Sequence, residues 1–178
     1  LHWMVHSFPT RRSSDLIEEI AAAEGWVLDY RPLAWAEAYQ ALRRGELDLL
    51  PDVARTPARE SEVHLTAVRA LDSWLDCFAP RGQGPRSLAE LGGRRVAVLA
   101  GSVQADLLAT LIATPGLFAT PPRLLPLESY QAVAAAVLAG QAETLVAGRF
   151  YAFSPDRPPG LEPAHLVLAP TGLHQIGR

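Results

Sequence analysis

Two hydrophobic rhythms alternate along this chain. Val96-Ala97-Val98-Leu99-Ala100 is apolar at every position, the pattern of a parallel strand buried on both faces. Gly101 then permits a sharp turn. Ser102 is a good N-cap for a helix over Val103 to Ala113, in which Leu107, Leu108, Leu111 and Ile112 recur at helical spacing. A helix N-terminus just past the carboxyl end of a parallel strand presents free N–H groups and a positive dipole end, which suits a carboxylate or phosphate. On spacing alone, an ordinary strand-to-helix connection with a satisfied cap is the simpler reading.

The same alternation runs through the first half. Ile17 to Glu24 predicts a short helix closed by Gly25, and Trp26 to Arg31 predicts a strand with Trp26, Leu28 and Tyr30 on one face. Trp35 to Arg44 has helical spacing at Trp35, Ala38, Tyr39 and Leu42 and stops at Gly45, and Leu47 to Val53 reads as the next buried strand. Strands and helices of this length in alternation imply parallel β-α-β units. A weak repeat supports two similar lobes: with Gly45 set against Gly140, Trp35 falls on Tyr130, Ala38 on Val133, Leu42 on Val137, Asp48 on Glu143 and Leu50 on Leu145. Leu71 to Pro80 is an aromatic-rich run suited to cross between lobes, and Arg81 to Pro85 is a turn signal. Ser154 to Gly160 is Pro-rich, and Leu166 to Ala169 is a candidate return strand.

Composition narrows the picture in three places. His6 to Leu16 has no apolar period and abuts the first helix without a linker; back-translated, it resembles a sequencing adapter read in frame, so residues 1–16 are set aside as a non-native segment. The 16 basic residues are all Arg, against 19 acidic ones, and without residues 1–16 the balance is 14 to 18, which does not invite nucleic acid. A single cysteine, Cys77, excludes an internal disulfide framework and a cysteine-rich metal site, and fits a small buried hydrophobe. No apolar run approaches the ~18 residues of a membrane span.

The succession Glu24-Gly25-Trp26, Trp35-Ala36-Glu37-Ala38, Arg44-Gly45-Glu46-Leu47-Asp48-Leu49-Leu50-Pro51 and Thr56-Pro57-Ala58-Arg59 resembles the first lobe of bacterial solute-binding proteins of family 3. Ser87-Leu88-Ala89-Glu90-Leu91-Gly92-Gly93-Arg94-Arg95-Val96-Ala97-Val98, followed by Gly101-Ser102, is similar to the opening of that family's second lobe. The likeness covers Ile17 to about Leu173. It implies a periplasmic-binding-protein-like α/β clamshell of two lobes with the ligand in the cleft. Residues 17–78 then form lobe 1 without its first strand, 79–165 lobe 2, and 166–178 the return crossing, so the clamshell is expected to be truncated at both ends.

The resemblance also assigns ligand-binding positions. In amino-acid-binding relatives the Arg closing a Thr-x-x-Arg motif grips the ligand's carboxylate, and here that position is Arg59, whose forked guanidinium can donate two parallel hydrogen bonds. Gly101, Ser102 and Val103 occupy the second-lobe carboxylate position. Asp52 stands at a strand's carboxyl end, and Trp35 and Trp74 are candidates for stacking on a ligand. The sequence departs from the relatives at Gly148, followed by Arg149, where they carry the Asp that holds an ammonium group.

The expected function is an extracytoplasmic or periplasmic small-molecule-binding module for a carboxylate or amino-acid-like ligand, anionic or zwitterionic, that closes on binding. Its partners would be an ABC-importer permease or a fused or partner histidine kinase, with the membrane reached only through segments outside this chain; the Trp35 context and the Leu49-Leu50-Pro51 strand end look more like the sensors. No cofactor, metal or catalytic residue is expected: His64, His165 and His174 are isolated. Two other classes share the architecture, the effector domain of a LysR-type transcription regulator and a periplasmic dehydratase-like enzyme. The latter would need a placed general acid.

Overall fold

Glycine-closed helices set where the strands of this chain begin. The computed structural model describes residues 2–5, 11–155 and 157–177, the stretches before Asp15 by backbone alone. In chain order the elements are β1 (His2–Val5), α1 (Arg11–Glu24), β2 (Asp29–Pro32), α2 (Trp35–Arg44), β3 (Leu49–Ala54), α3 (Pro57–Glu60), β4 (His64–Leu65) and β5 (Leu71–Pro80). After a 3-10 turn at Leu88–Leu91 come β6 (Arg95–Leu99), α4 (Val103–Ala113), β7 (Arg123–Leu127), α5 (Tyr130–Leu138) and β8 (Thr144–Gly148), then a second 3-10 turn at Arg149–Phe153 and β9 (Leu161–Gly177).

After α1, α2 and α5 the closing glycines, Gly25, Gly45 and Gly140, take φ of 69°, 76° and 70°. The residue that follows each donates its N–H back into the helix: Trp26 to Ala21 O, Glu46 to Ala41 O and Gln141 to Ala136 O, at 2.8, 2.9 and 2.8 Å. This left-handed stop satisfies otherwise orphaned carbonyls. It also corrects two expected strands. Trp26 and Glu46 are spent on closure, so β2 starts at Asp29 rather than Trp26 and β3 at Leu49 rather than Leu47. Trp26 and Tyr30 consequently stand exposed instead of forming a buried face.

The chain divides into two compact units. One comprises Leu1–Ser73 and Thr171–Arg178, the other Trp74–Pro170. The boundaries fall inside β5 and β9, which carry the chain out and back. In the first unit β1 lies between β2 and β3, parallel to both, with His2 opposite Asp29 and Trp3 opposite Leu49, while β3 pairs antiparallel with the end of β9. His2–Val5 thus takes a strand position between β2 and β3, and α1 begins at Arg11, ahead of the expected Ile17; His6–Thr10 lie outside the described residues. A backbone stretch paired on both sides satisfies N–H and C=O groups that β2 and β3 would otherwise leave open.

The core of this unit is Ala38, Leu42, Leu47, Leu50, Val53 and Ile176 around α2. In the second unit the strand order is β5-β8-β6-β7, with β6 parallel to β7 and β8 and β5 antiparallel to β8. Leu75, Cys77, Val96, Val98, Leu108 and Val146 form a core on one face. Cys77 is a free thiol inside it, pushed up to about 12 chiefly by burial.

Leu50 and Leu145, which correspond in the repeat, are both fully buried. Leu50→Ala and Leu145→Ala should each lose about 2–5 kcal/mol in urea unfolding, against under ~0.5 kcal/mol for Leu138→Ala on an exposed position. A loss confined to one of the two buried sites would show that the two units do not share this packing logic.

Candidate functional site

In the first unit the candidate side chains gather around Arg59. Thr56, extended at φ −140°, caps the single-turn α3 by accepting the Arg59 N–H at 3.3 Å, and Pro57 presets the first helical residue. That turn folds Arg59 inward: it is 7% exposed, unusual for an arginine. Its Nη1 donates to the Ala54 carbonyl at 2.8 Å, and its guanidinium carbon lies 4.9 Å from the centroid of the Trp35 ring and 5.8 Å from that of Tyr39. Trp35 and Tyr39 stack on each other, one turn apart on α2. Cation-to-ring contacts contribute about 0.5–2 kcal/mol each and fix the plane of the guanidinium. Tyr39 in turn donates to Glu62 at 2.9 Å, and burial followed by that carboxylate raises its phenol to about 12. Asp52 stands at the carboxyl end of β3 with φ 58°, where the register against β9 shifts between Leu50 and Val53.

In the second unit β6 ends at Leu99 and turns through Gly101, at φ 64°, into α4. Ser102 is buried and its hydroxyl is used internally, donating to the Leu99 carbonyl at 2.6 Å and accepting from the Ala105 N–H at 3.4 Å. The N–H groups of Val103 and Gln104 have no acceptor among the described residues, so the anion-receptive part of this turn is the backbone of its first helical residues. The Gln104 side chain donates to Tyr130 at 2.6 Å, and Tyr130 stacks on Tyr151, which meets Phe78 edge-on. Gly148 ends β8, the parallel neighbour of β6, and Arg149 follows it, its guanidinium carbon 4.5 Å from the centroid of the Trp74 ring.

Sequence reasoning missed Tyr39, whose signal was its position four residues after Trp35, and Asp76. Asp76 is 5% exposed, and its Oδ1 has no hydrogen-bond partner among the described residues. Burial raises its carboxyl above the ordinary range, outweighing the Cys77 N–H, the His165 ring and the Leu166 N–H, which lower it. The available signal was an acidic residue inside the apolar run Leu75–Ala79. Of the three isolated histidines, His174 is buried with Nδ1 2.8 Å from the Thr66 carbonyl, while His64 and His165 are exposed.

No protein-family model matches the sequence, and no curated protein matches it. Solved structures do match the fold. The GluR0 ligand-binding core in complex with L-glutamate aligns with a TM-score of 0.82 at 18% identity, covering 99% of this chain and 83% of that one. The arginine-bound form of truncated ArgBP from T. maritima gives 0.82 at 16%, covering 99% and 86%. A histidine kinase sensor domain with similarity to periplasmic binding proteins gives 0.81 at 20%, covering 99% and 81%. The chain thus has the mixed α/β fold of periplasmic binding proteins, matching structures of amino-acid-binding proteins of family 3 and a kinase sensor domain.

The Asp76 carboxyl supplies a pH test. With its folded pKa raised above the ordinary 3.8, the native state holds more protons than the unfolded chain in the window just above that value, so stability falls as pH rises through it. Asp76→Asn should therefore raise the melting temperature at pH 7.5, and the gain should shrink as pH drops through the folded pKa toward 3.8; a gain independent of pH would refute this origin.

Proposed function

We propose that this chain is a non-enzymatic, extracytoplasmic binding module of the solute-binding-protein type, whose ligand is a small carboxylate. It acts as the sensor domain of a membrane receptor kinase or as the binding component of an ABC importer. One observation carries the reading: Arg59 is buried, tied to the Ala54 carbonyl and clamped against Trp35 and Tyr39. A desolvated, oriented guanidinium is a receptor for a planar anion.

In the second unit, Gly101, Ser102 and Val103 form the turn into α4, where the Val103 and Gln104 N–H groups are the donors offered to a carboxylate. Trp35 and Trp74 are ring candidates for stacking, each in its own unit, and Asp52 stands at the carboxyl end of β3. Ligand binding shifts the module's conformational equilibrium, which is the signal read by a partner. The fold likeness to amino-acid binders and to a kinase sensor domain supports this reading. No helix among the described residues is long and apolar enough to cross a membrane, so the anchor or the permease belongs to another segment or chain in this proposal.

Gly148 brings no counter-charge for an ammonium group to the end of β8. A carboxylate lacking the amino group should accordingly bind at least as tightly as the matching amino acid when paired ligands are titrated by calorimetry. Arg59→Ala should weaken binding at least about tenfold, since a hydrogen bond to a charged group contributes about 1.5–3 kcal/mol. Ser102→Ala should lose less, because the Val103 and Gln104 N–H groups remain. Full affinity in Arg59→Ala would overturn the proposal.

A further inference from the structure

The contacts around Arg59 close on themselves within the first unit. The Arg59 carbonyl accepts the N–H groups of Glu62 and Val63, both at 3.0 Å, so the chain leaving α3 is anchored on Arg59 itself. Val63 is then buried in the core with Ala38 and Leu42 of α2. Glu62 thus reaches out from a backbone fixed on both sides. Its carboxylate accepts the Tyr39 hydroxyl at 2.9 Å, and the Nε of Arg43 lies 3.6 Å from the same oxygen. The Tyr39 ring completes the circuit: its centroid is 5.8 Å from the Arg59 guanidinium carbon, and Trp35, 4.9 Å from that carbon, stacks on it.

Spacing explains why these groups meet. Trp35, Tyr39 and Arg43 recur every four residues on α2 and so share one stripe of the helix. A ring attracts a cation without a preferred rotation, so the rings alone would leave the guanidinium plane loosely set. A hydrogen bond to a carboxylate is directional and roughly twice as strong as a neutral one. Glu62 supplies that bond, and the Tyr39 phenol, raised to about 12, remains a donor throughout the physiological pH range. The pair Arg44–Glu46 is local, spanning two residues, whereas Tyr39 and Glu62 are 23 apart and tie α2 to the turn after α3.

Resting on the carboxylate reading of Arg59, we infer that Glu62 is a positioning residue of that site: through the Tyr39 hydroxyl it holds the Tyr39 ring against the Arg59 guanidinium and so sets the orientation in which Arg59 meets an anion. Glu62 itself does not touch the ligand. Arg43 steadies its carboxylate.

The test uses straight-chain acids, from acetate to hexanoate and from oxalate to adipate, screened by thermal shift on the whole chain. The tightest binder becomes the probe for calorimetry. Tyr39→Phe, which keeps the ring, and Glu62→Ala should each weaken its binding about three- to tenfold, and the double variant no more than either alone. Glu62→Gln, which keeps an acceptor, should recover most of the loss. In an Arg59→Gln background, Tyr39→Phe should have no further effect on affinity, a coupling that a merely structural role would not produce. Glu46→Ala, which breaks an exposed pair, should leave binding unchanged. Thermal unfolding monitors each variant, and Tyr39→Phe decides the matter where Glu62→Ala does not fold. If Tyr39→Phe keeps full affinity, or loses as much in the Arg59→Gln background, while Arg59→Gln alone weakens binding, the positioning role is wrong and the carboxylate reading stands. If no acid of the series binds, or Arg59→Gln changes nothing, both are wrong.

Discussion

Parallel strands cannot be joined by a hairpin, and in this chain that single constraint decides where chemistry can sit. β6 pairs in parallel with β7 and β8, so the chain must leave each carboxyl end, run back along the sheet and re-enter at the amino end, which α4 and α5 do. The turns after β6 and β8 are thereby forced to the same edge. Val96, Ala97, Val98, Leu145, Val146 and Ala147 are wholly inaccessible to solvent, and a one-residue slip would exchange the faces of every one of them. The register of β6 against β8, Val96 opposite Thr144 and Ala97 opposite Leu145, is held by this burial.

The two units treat a candidate arginine in the same physical way. Arg59 is pressed against Trp35 and Tyr39, and Arg149 against Trp74 and Phe150. Rings are suited to this because they orient a guanidinium and exclude water without cancelling its charge, as a carboxylate would. The surface pairs, such as Arg44 with Glu46, serve the opposite purpose: they are exposed, and the mutual bond raises the arginine and lowers the glutamate. Such exposed pairs contribute little to stability.

Legibility in the sequence follows how local the physics is. The helices Trp35–Arg44 and Val103–Ala113 and the Ser102 cap are readable to the residue, because periodicity and capping are encoded within a few positions. Strand starts are less readable: Gly25 announces the end of α1, but the bond from Trp26 back to Ala21 that delays β2 does not show in an alternation count. The strand His2–Val5 is not legible locally, although Trp3 and Val5 are strand formers, since its pairing with Asp29–Pro32 is non-local. Arg59 is legible through the Thr-x-x-Arg resemblance and Arg149 through its neighbour Gly148. The rings that orient them come from distant positions, and no spacing rule connects Trp74 to Arg149.

The division of the chain has a temporal consequence. The second unit is one uninterrupted stretch, Trp74–Pro170, whereas the first is made from Leu1–Ser73 and Thr171–Arg178. On a ribosome, Ala54 must wait for Leu173, and Leu50 for Ile176, before β3 gains its antiparallel neighbour. Until then β3 presents an open edge and the Leu42 and Leu50 side chains lack Ile176 as a core partner. The unit whose synthesis begins first therefore gains its β9 partner only after the whole of the second unit has been made.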